Sequence, residues 1–275
     1  PPKQRMGGTF LKVFVILRLM ELVDVHNHLE LLNDLDHAII RAKESGVKKI
    51  ITSGIDHETN RKALELKKEY EIVECSLGIY PKDALKKEYE ASGKAFKECD
   101  VEEEIAFIKK HQKDIMGIGE VGLDFSSENI NQKEQEKLFV KMIKLAKELN
   151  KPLIVHSRKA EKEVLEILER ENAKKVVMHC FCGNKNLVKE GALRGYYFTI
   201  PTNVNRASNF QSMVKEVNIN QLLTETDGPF LSPIKGEPNE PANITVTIKE
   251  IAKIKGFDEK ETANNIFLNY MRLFK

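Results

Sequence analysis

The chain has 275 residues, of which 41% are hydrophobic and 31% are charged, and its formal net charge is +2. This length and composition are typical of a globular protein with a large core, and they exclude a disordered chain. The small net charge and the lack of a basic run argue against a dedicated nucleic-acid binder, so any site for a polyanion must be local.

Residues 1–20 are predicted to be an N-terminal tail and lead-in, and residues 21–275 a single domain. The apolar residues before the first strand are interrupted by Lys12, Arg18 and Glu21. This stretch is therefore too short and too charged to span a membrane, and it lacks the small-residue cleavage site of a signal peptide. We expect a cytoplasmic protein with no membrane contact.

The four cysteines form no Cys-x-x-Cys pair, and a chain of this size does not need disulfides. Reduced thiols in a cytoplasmic protein are the expected state. Cys180 and Cys182, which flank the phenylalanine after "HC", lie beside His179 and could be soft ligands for zinc. We favour the interpretation that both cysteines are small residues that pack at the end of a strand.

Eight short apolar runs, rich in β-branched residues, are separated by amphipathic stretches. Most of these runs are continuously apolar at their centres, which is typical of parallel strands covered on both faces by helices. The predicted strands are residues 21–25, 48–54, 72–78, 115–120, 152–156, 175–179, 195–200 and 221–227.

The stretches between these strands have the apolar spacing of helices. The first has apolar residues at positions 35, 39 and 42 and a glycine stop at position 46, and similar stripes follow in 135–150 and 158–172. Eight strands that alternate with helices favour a (β/α)8 TIM barrel over an open doubly wound sheet. No glycine-rich phosphate loop follows any strand, which weakens the nucleotide-binding alternative.

Polar side chains collect at the predicted carboxyl ends of the strands, where a TIM barrel carries its chemistry. If the two valines of "VDVHNH" face the helices, then Asp24, His26 and His28 face the barrel axis, because alternate strand residues share a side. Four further strands are predicted to end in Glu120, His156, His179 and Asp227. Left unpaired, so many polar groups would be costly to bury, so we expect them to act together.

Four imidazoles and two carboxylates are enough ligands for two divalent metal ions. The donors suit zinc, manganese or iron, and suit magnesium less well because it favours all-oxygen shells. The predicted cofactors are two divalent metal ions per chain, with zinc, manganese and magnesium as the candidates and no single metal assigned. The predicted metal ligands are His26, His28, Glu120, His156, His179 and Asp227.

Two of these residues are also predicted to be catalytic. Glu120 could bridge two ions about 3.5–4 Å apart, and Asp227 could hold the attacking water and accept its proton. Glu225 lies two residues before Asp227 and should face the same way. It either supports a ligand from behind or forms a salt bridge in the core.

The segments "DVHNHLE", "GIYPKDA", "GEVGLDF", "PLIVHSRKA", "MHCFCG" and "LLTETDGPFL" resemble, in this order, the TatD-type metal-dependent deoxyribonucleases of the amidohydrolase superfamily. The resemblance extends to "GEPNEPANI" and to "NYMRLF" near the end of the chain. It implies a TIM barrel that hydrolyses phosphodiester bonds in DNA, often as an exonuclease. It also implies that His26, His28 and Asp227 hold one ion, that His156 and His179 hold the other, and that Glu120 bridges them.

One segment departs from the family pattern, which commonly has His-Pro-His where this chain has Tyr80-Pro81-Lys82. Tyr80 could donate a hydrogen bond to substrate and stack on a base, or be a rim aromatic without a ligand role. Lys82 would add a positive charge for a phosphate. Arg158 is either a phosphate clamp or a surface residue at the start of a helix.

Three functions are compatible with these patterns. The first is a metal-dependent deoxyribonuclease that degrades single strands or ends, with DNA as substrate and no obligatory protein partner. The alternative is an amidohydrolase or esterase, for example a deacylase of aminoacyl-nucleic acid. Glu120 stands where urease-type enzymes carry a bridging lysine, which favours the nuclease. The third, a binding module without activity, is opposed by the complete ligand set.

Overall fold

A computed structural model describes residues 20–275 except residues 92, 94 and 129. The predicted tail and lead-in, residues 1–20, lies outside the described residues apart from Met20. Within the described part of the chain, no helix is both long enough and apolar enough to cross a membrane.

The described residues form one parallel sheet of eight strands, and the order of the strands in the sheet is their order in the chain. Between β1 and β8, Thr224 Oγ1 donates to Val23 O over 2.5 Å and Asp227 N donates to His26 O over 3.0 Å. These bonds, the second from a residue just beyond β8, join the two ends of the sheet into a nearly closed barrel. The alternation of strands and helices confirms the predicted (β/α)8 TIM barrel. The strands are β1 (Leu22–Asn27), β2 (Val47–Ser53), β3 (Val73–Leu77), β4 (Gly117–Asp124), β5 (Leu153–Arg158), β6 (Val176–Met178), β7 (Tyr197–Pro201) and β8 (Leu222–Glu225).

Helices connect the strands and surround the barrel. Capping aspartates mark where two of these helices begin. Asp56 caps the second helix by accepting from Thr59 N over 2.9 Å, and Asp100 caps the fourth. The helices of the described residues are α1 (Leu35–Glu44), α2 (His57–Glu69), α3 (Lys82–Ala91), α4 (Val101–Lys110), α5 (Gln132–Glu148), α6 (Glu161–Arg170), α7 (Lys185–Leu193), α8 (Ser208–Glu216), α9 (Ile244–Lys255) and α10 (Glu259–Phe274).

The last helix, α10, packs across the ends of the barrel where strands begin. Asn269 Nδ2 donates to Leu222 O, at the start of β8, over 2.8 Å, and Phe274 lies beside Gly117, at the start of β4. The amino-terminal end of the barrel is thus packed against the buried face of α10. The carboxyl ends of the strands lie at the opposite end, where a TIM barrel carries its site.

Strand β4 differs from its predicted extent, because it continues to Asp124 and does not end at Glu120. Val121 and Leu123 are fully buried and pair with Val155 and Ser157 of β5, so the ladder continues past the glutamate. The prediction that Glu120 is the last residue of its strand is therefore wrong, although its side chain still reaches the barrel axis. Apolar residues on alternate positions extend the strand beyond the functional residue.

Candidate metal centre

The structure brings the six predicted ligands into one cluster, with Glu120 at its centre. Glu120 Oε2 lies 3.4 Å from His26 Nε2 and 3.4 Å from His28 Nε2. The other oxygen, Oε1, lies 2.9 Å from His156 Nδ1 and 3.7 Å from His179 Nε2. The two oxygens of a single carboxylate therefore face two different pairs of imidazoles.

Asp227 joins the pair of imidazoles that comes from β1. Its Oδ1 lies 3.5 Å from His26 Nε2 and 3.6 Å from His28 Nε2. The backbone places it there: Asp227 has a left-handed φ of 53° just beyond β8, and Phe230 N donates to its carbonyl over 2.8 Å. Among the described residues, two groups have donor atoms within 4.8 Å of one another, namely His26, His28 and Asp227, and His26, Glu120 and His179.

Two of the imidazoles are held from behind by partners that fix their orientation. Ser53 Oγ lies 3.0 Å from His26 Nδ1, and Glu225 Oε2 lies 2.7 Å from His179 Nδ1. Glu225 is fully buried and its other oxygen accepts from Cys180 N over 3.1 Å. Of the two roles considered for Glu225, the structure shows the supporting one: it orients an imidazole so that Nε2 faces the cluster.

His156 is held by a residue that the sequence analysis missed. Asp124 Oδ2 lies 3.1 Å from His156 Nε2, so the ring turns Nδ1 toward Glu120. Gln135 in turn binds the Asp124 backbone, because its Oε1 accepts from Asp124 N over 2.9 Å. The signal was present in "GEVGLD", where Asp124 lies four residues after Glu120 and therefore on the same side of the strand.

Tyr80 is buried inside the site and is not a rim aromatic. Its hydroxyl lies 3.0 Å from His156 Nε2 and 3.4 Å from Asp124 Oδ2, and only 5% of the residue is exposed. The tyrosine that departs from the family pattern therefore contacts an imidazole of the cluster on the side away from Glu120.

The two cations considered for phosphate binding, Lys82 and Arg158, are placed differently. Lys82 is the first residue of α3, its ammonium group pairs with Glu98, and it does not line the cavity of the cluster. Arg158 ends β5, is exposed and lines that cavity, and it makes no ion pair with any described residue. The structure therefore leaves Arg158 as the available cation and places Lys82 elsewhere.

The charges of the cluster are mutually dependent. Burial alone would raise the pKa of Glu120, but the charge of His26 and hydrogen bonds from the imidazoles hold that pKa well below its usual range. Burial alone would lower the pKa of His26 and of His156, but the negative charge and close contact of the neighbouring carboxylates raise each pKa to about 9. The carboxylates thus attract positive charge, which protons or a divalent ion can supply.

The donor set fits divalent metal ions. His26 Nε2 is buried and lies 3.4 Å from a Glu120 oxygen and 3.5 Å from an Asp227 oxygen, and neither contact has the geometry of a full hydrogen bond. A buried polar atom of this kind is costly unless another group binds it. Imidazole nitrogens and carboxylate oxygens converge on the same space, and neither Cys180 nor Cys182 belongs to the groups of candidate ligands.

Two glycines let the backbone approach closely at the cluster. A Cβ on Gly78, after β3, would lie 2.4 Å from Glu120 O. Gly122 has a φ of 147°, and a Cβ there would lie 2.0 Å from His156 O. Any side chain at these two positions would displace the strands that carry Glu120 and His156, so the glycines of "SLGIY" and "EVGLD" set the geometry of the site.

The cluster lies in a cavity of about 430 Å3 at the carboxyl ends of the strands. This volume is in the usual range for small-ligand sites. Around the ligands, the walls carry Arg158 and Glu161, the thiols of Cys180 and Cys182, and apolar side chains that include Leu31 and Phe230. All four cysteines of the chain are free in the structure.

Comparison with known proteins agrees with the resemblance seen in the sequence. A family model described as "TatD related DNase" matches residues 23–275. An uncharacterized metal-dependent hydrolase of Methanocaldococcus jannaschii is 36% identical over 262 residues, which are 94% of this chain and 99% of that protein. The human deoxyribonuclease TATDN3 is 33% identical over 262 residues, 92% of this chain and 94% of that protein.

A solved structure shows the same fold. The crystal structure of YjjV, a TatD homologue of Escherichia coli K12, superposes with a TM-score of 0.82, covers 93% of this chain and 98% of its own, and is 24% identical. The family match spans every strand of the barrel except the first residue of β1. The chain belongs to the TatD family of metal-dependent hydrolases.

Proposed function

We propose that this enzyme is a metal-dependent deoxyribonuclease that uses two divalent ions. His26, His28 and Asp227 would hold one ion, His156 Nδ1 and His179 Nε2 the other, and Glu120 would bridge them. The position of Glu120 carries this proposal, because its two oxygens face the two pairs of imidazoles separately. The human relative's name, deoxyribonuclease TATDN3, supports DNA as the substrate.

Divalent ions at such a site activate water and neutralise charge on a phosphoryl group. The chain's own residues orient the reactants. Asp227 lines the cavity and its side chain is 14% exposed, against 5% for Glu120, so it is the carboxylate of the cluster that a water molecule most readily reaches. Burial would raise the pKa of Asp227, but the close contact with the His26 imidazole and the charges of the nearby imidazoles lower it. Asp227 is therefore an anion at neutral pH and can accept a proton from the water.

The shape of the cavity supports action on single strands or ends. Glu120 and His179 are at least 95% buried, whereas Arg158, which lines the same cavity, is exposed. A continuous duplex would have to unpair, at a cost of a few kcal/mol, before a phosphodiester could reach this depth. A free end or an unpaired strand enters without that cost.

The test is a substrate screen of the purified protein after chelation, with Mg²⁺, Mn²⁺ or Zn²⁺ supplied singly. We expect linear single-stranded DNA to be shortened from its ends, closed circular duplex to stay intact, and chelation to abolish hydrolysis reversibly. Acyl esters and aminoacyl-nucleic acids test the alternative chemistry. Faster hydrolysis of those esters than of DNA would favour the deacylase, and full activity without metal would refute both.

Asp124 gives a prediction about the second ion. Asp124→Asn replaces the carboxylate that holds His156 Nε2, and outer partners of this kind typically contribute 10–100-fold to metal affinity. We expect the affinity for one of two ions to fall by about that factor in a metal titration followed by calorimetry. Tyr80→Phe is the matched control, because it removes one hydroxyl from the same nitrogen and leaves the charge in place. An equal loss in both variants would contradict an electrostatic role for Asp124.

We also propose that residues 21–275 form a single domain, in agreement with the sequence. Hydrogen bonds between the first and last strands of the barrel support this, because removing either end would open the sheet. The cytoplasmic location stays a prediction, and the free state of all four cysteines is consistent with it.

A further inference from the structure

One wall of the cavity carries an aromatic side chain that the chemistry described so far does not use. Phe230 is 54% exposed and Leu31 is 41% exposed, and both line the cavity that contains Glu120 and Asp227. An exposed phenylalanine gains little for folding, because most of its apolar surface stays in water. Its position three residues after Asp227 places an uncovered ring beside the proposed metal site.

The segment that carries Phe230 is anchored on both sides of the ring. Phe230 N donates to Asp227 O over 2.8 Å, and the carbonyl of Leu231 accepts from Thr202 Oγ1 over 2.8 Å. One residue further on, Ser232 O accepts from Arg206 Nη2 over 2.8 Å. The backbone that carries this ring is therefore held in place on each side of it.

The cavity consequently has three chemically different parts. Its buried floor is the cluster of imidazoles and carboxylates, and its exposed lining includes the cation of Arg158 and the apolar side chains of Leu31 and Phe230. A nucleotide has matching parts: a phosphodiester for the floor, a further phosphate oxygen for a guanidinium fork, and a flat base for an aromatic ring. A plain acyl ester has no group that needs the ring.

We propose that Phe230 is the binding site for the nucleobase of the nucleotide whose phosphate occupies the metal cluster. This inference rests on the proposed nuclease function and deepens it, because it names an unpaired nucleotide as the unit that is recognised. Every base has a π-face and can stack on an aromatic ring. The site therefore selects for an unpaired base and not for a particular sequence.

The test compares the binding of two ligands that differ only in the base. Deoxyadenosine 5′-monophosphate and deoxyribose 5-phosphate are titrated into the Mn²⁺-loaded protein, and dissociation constants are measured by calorimetry. We expect the wild-type protein to bind the nucleotide about tenfold more tightly, within the range for stacking of one base. Phe230→Ala should remove this difference by weakening the nucleotide alone, and Phe230→Tyr should keep it.

The matched control is Phe257→Ala, because Phe257 is also partly exposed, at 37%, and does not line the cavity. It should leave both dissociation constants unchanged. Equal binding of the two ligands by the wild-type protein, or an equal loss for both in Phe230→Ala, would overturn the base site whatever the protein cleaves. If the base-dependent difference requires Phe230 but no DNA is hydrolysed, the base site is supported and the nuclease function is refuted.

Discussion

Glu120→Gln is expected to lower kcat/KM for DNA by at least about 1000-fold and to reduce the bound metal from two ions to at most one. The carboxylate faces both pairs of imidazoles, so its loss affects both ion positions together. Ions at such sites contribute several kcal/mol to catalysis, and each 1.36 kcal/mol is a factor of ten in rate. Elemental analysis and steady-state kinetics on the same preparation measure the two effects.

The matched control for this variant is Glu161→Gln. Glu161 lines the same cavity but contacts none of the six ligands in the described structure, so the same chemical change should leave metal content unaltered. Circular dichroism should show that both variants fold, because barrel stability resides in the packed interior. Two ions retained by Glu120→Gln would show that Glu120 does not bridge, and the ligand assignment would have to be revised.

Most of the fold and the cluster could be predicted because both depend on local pattern. Each strand is a short apolar run, and barrel chemistry belongs at the carboxyl ends of strands, so the amino-acid sequence alone places residues such as His26, His156 and His179 together. The alternation of strand side chains also indicated that Glu225 faces the site, where it contacts His179.

The parts of the site that could not be predicted depend on contacts between segments far apart in the chain. Tyr80 and Asp124 meet at His156 across three different strands or loops, and sequence spacing does not report which side chains meet across a barrel. Lys82 was predicted to contact phosphate, but Glu98, in the segment after α3, binds it first. The exposure of Phe230 likewise follows from the anchors of its loop, Thr202 and Arg206, which no local pattern in "TDGPFL" reveals.

The second large effect is expected for Asp227→Asn, which should lower turnover at least about 100-fold while part of the metal remains bound. Asparagine keeps the shape of the side chain and one oxygen near His26 and His28, but it cannot accept a proton from water. General-base catalysis typically contributes 10²–10⁴-fold, so the loss in kcat should exceed the loss in metal content measured on the same sample.

The pH profile separates a base from a mere ligand. If Asp227 accepts the proton, the residual activity of Asp227→Asn should lose the acid limb of the wild-type profile, because no carboxylate is left to titrate at that position. Glu225 cannot replace it, since this residue is fully buried behind His179 and does not line the cavity. If the turnover of Asp227→Asn falls only in proportion to the metal lost and the acid limb of the profile stays intact, Asp227 is a metal ligand and not the base. Glu120, which also faces the cavity floor, would then be the next candidate for the base.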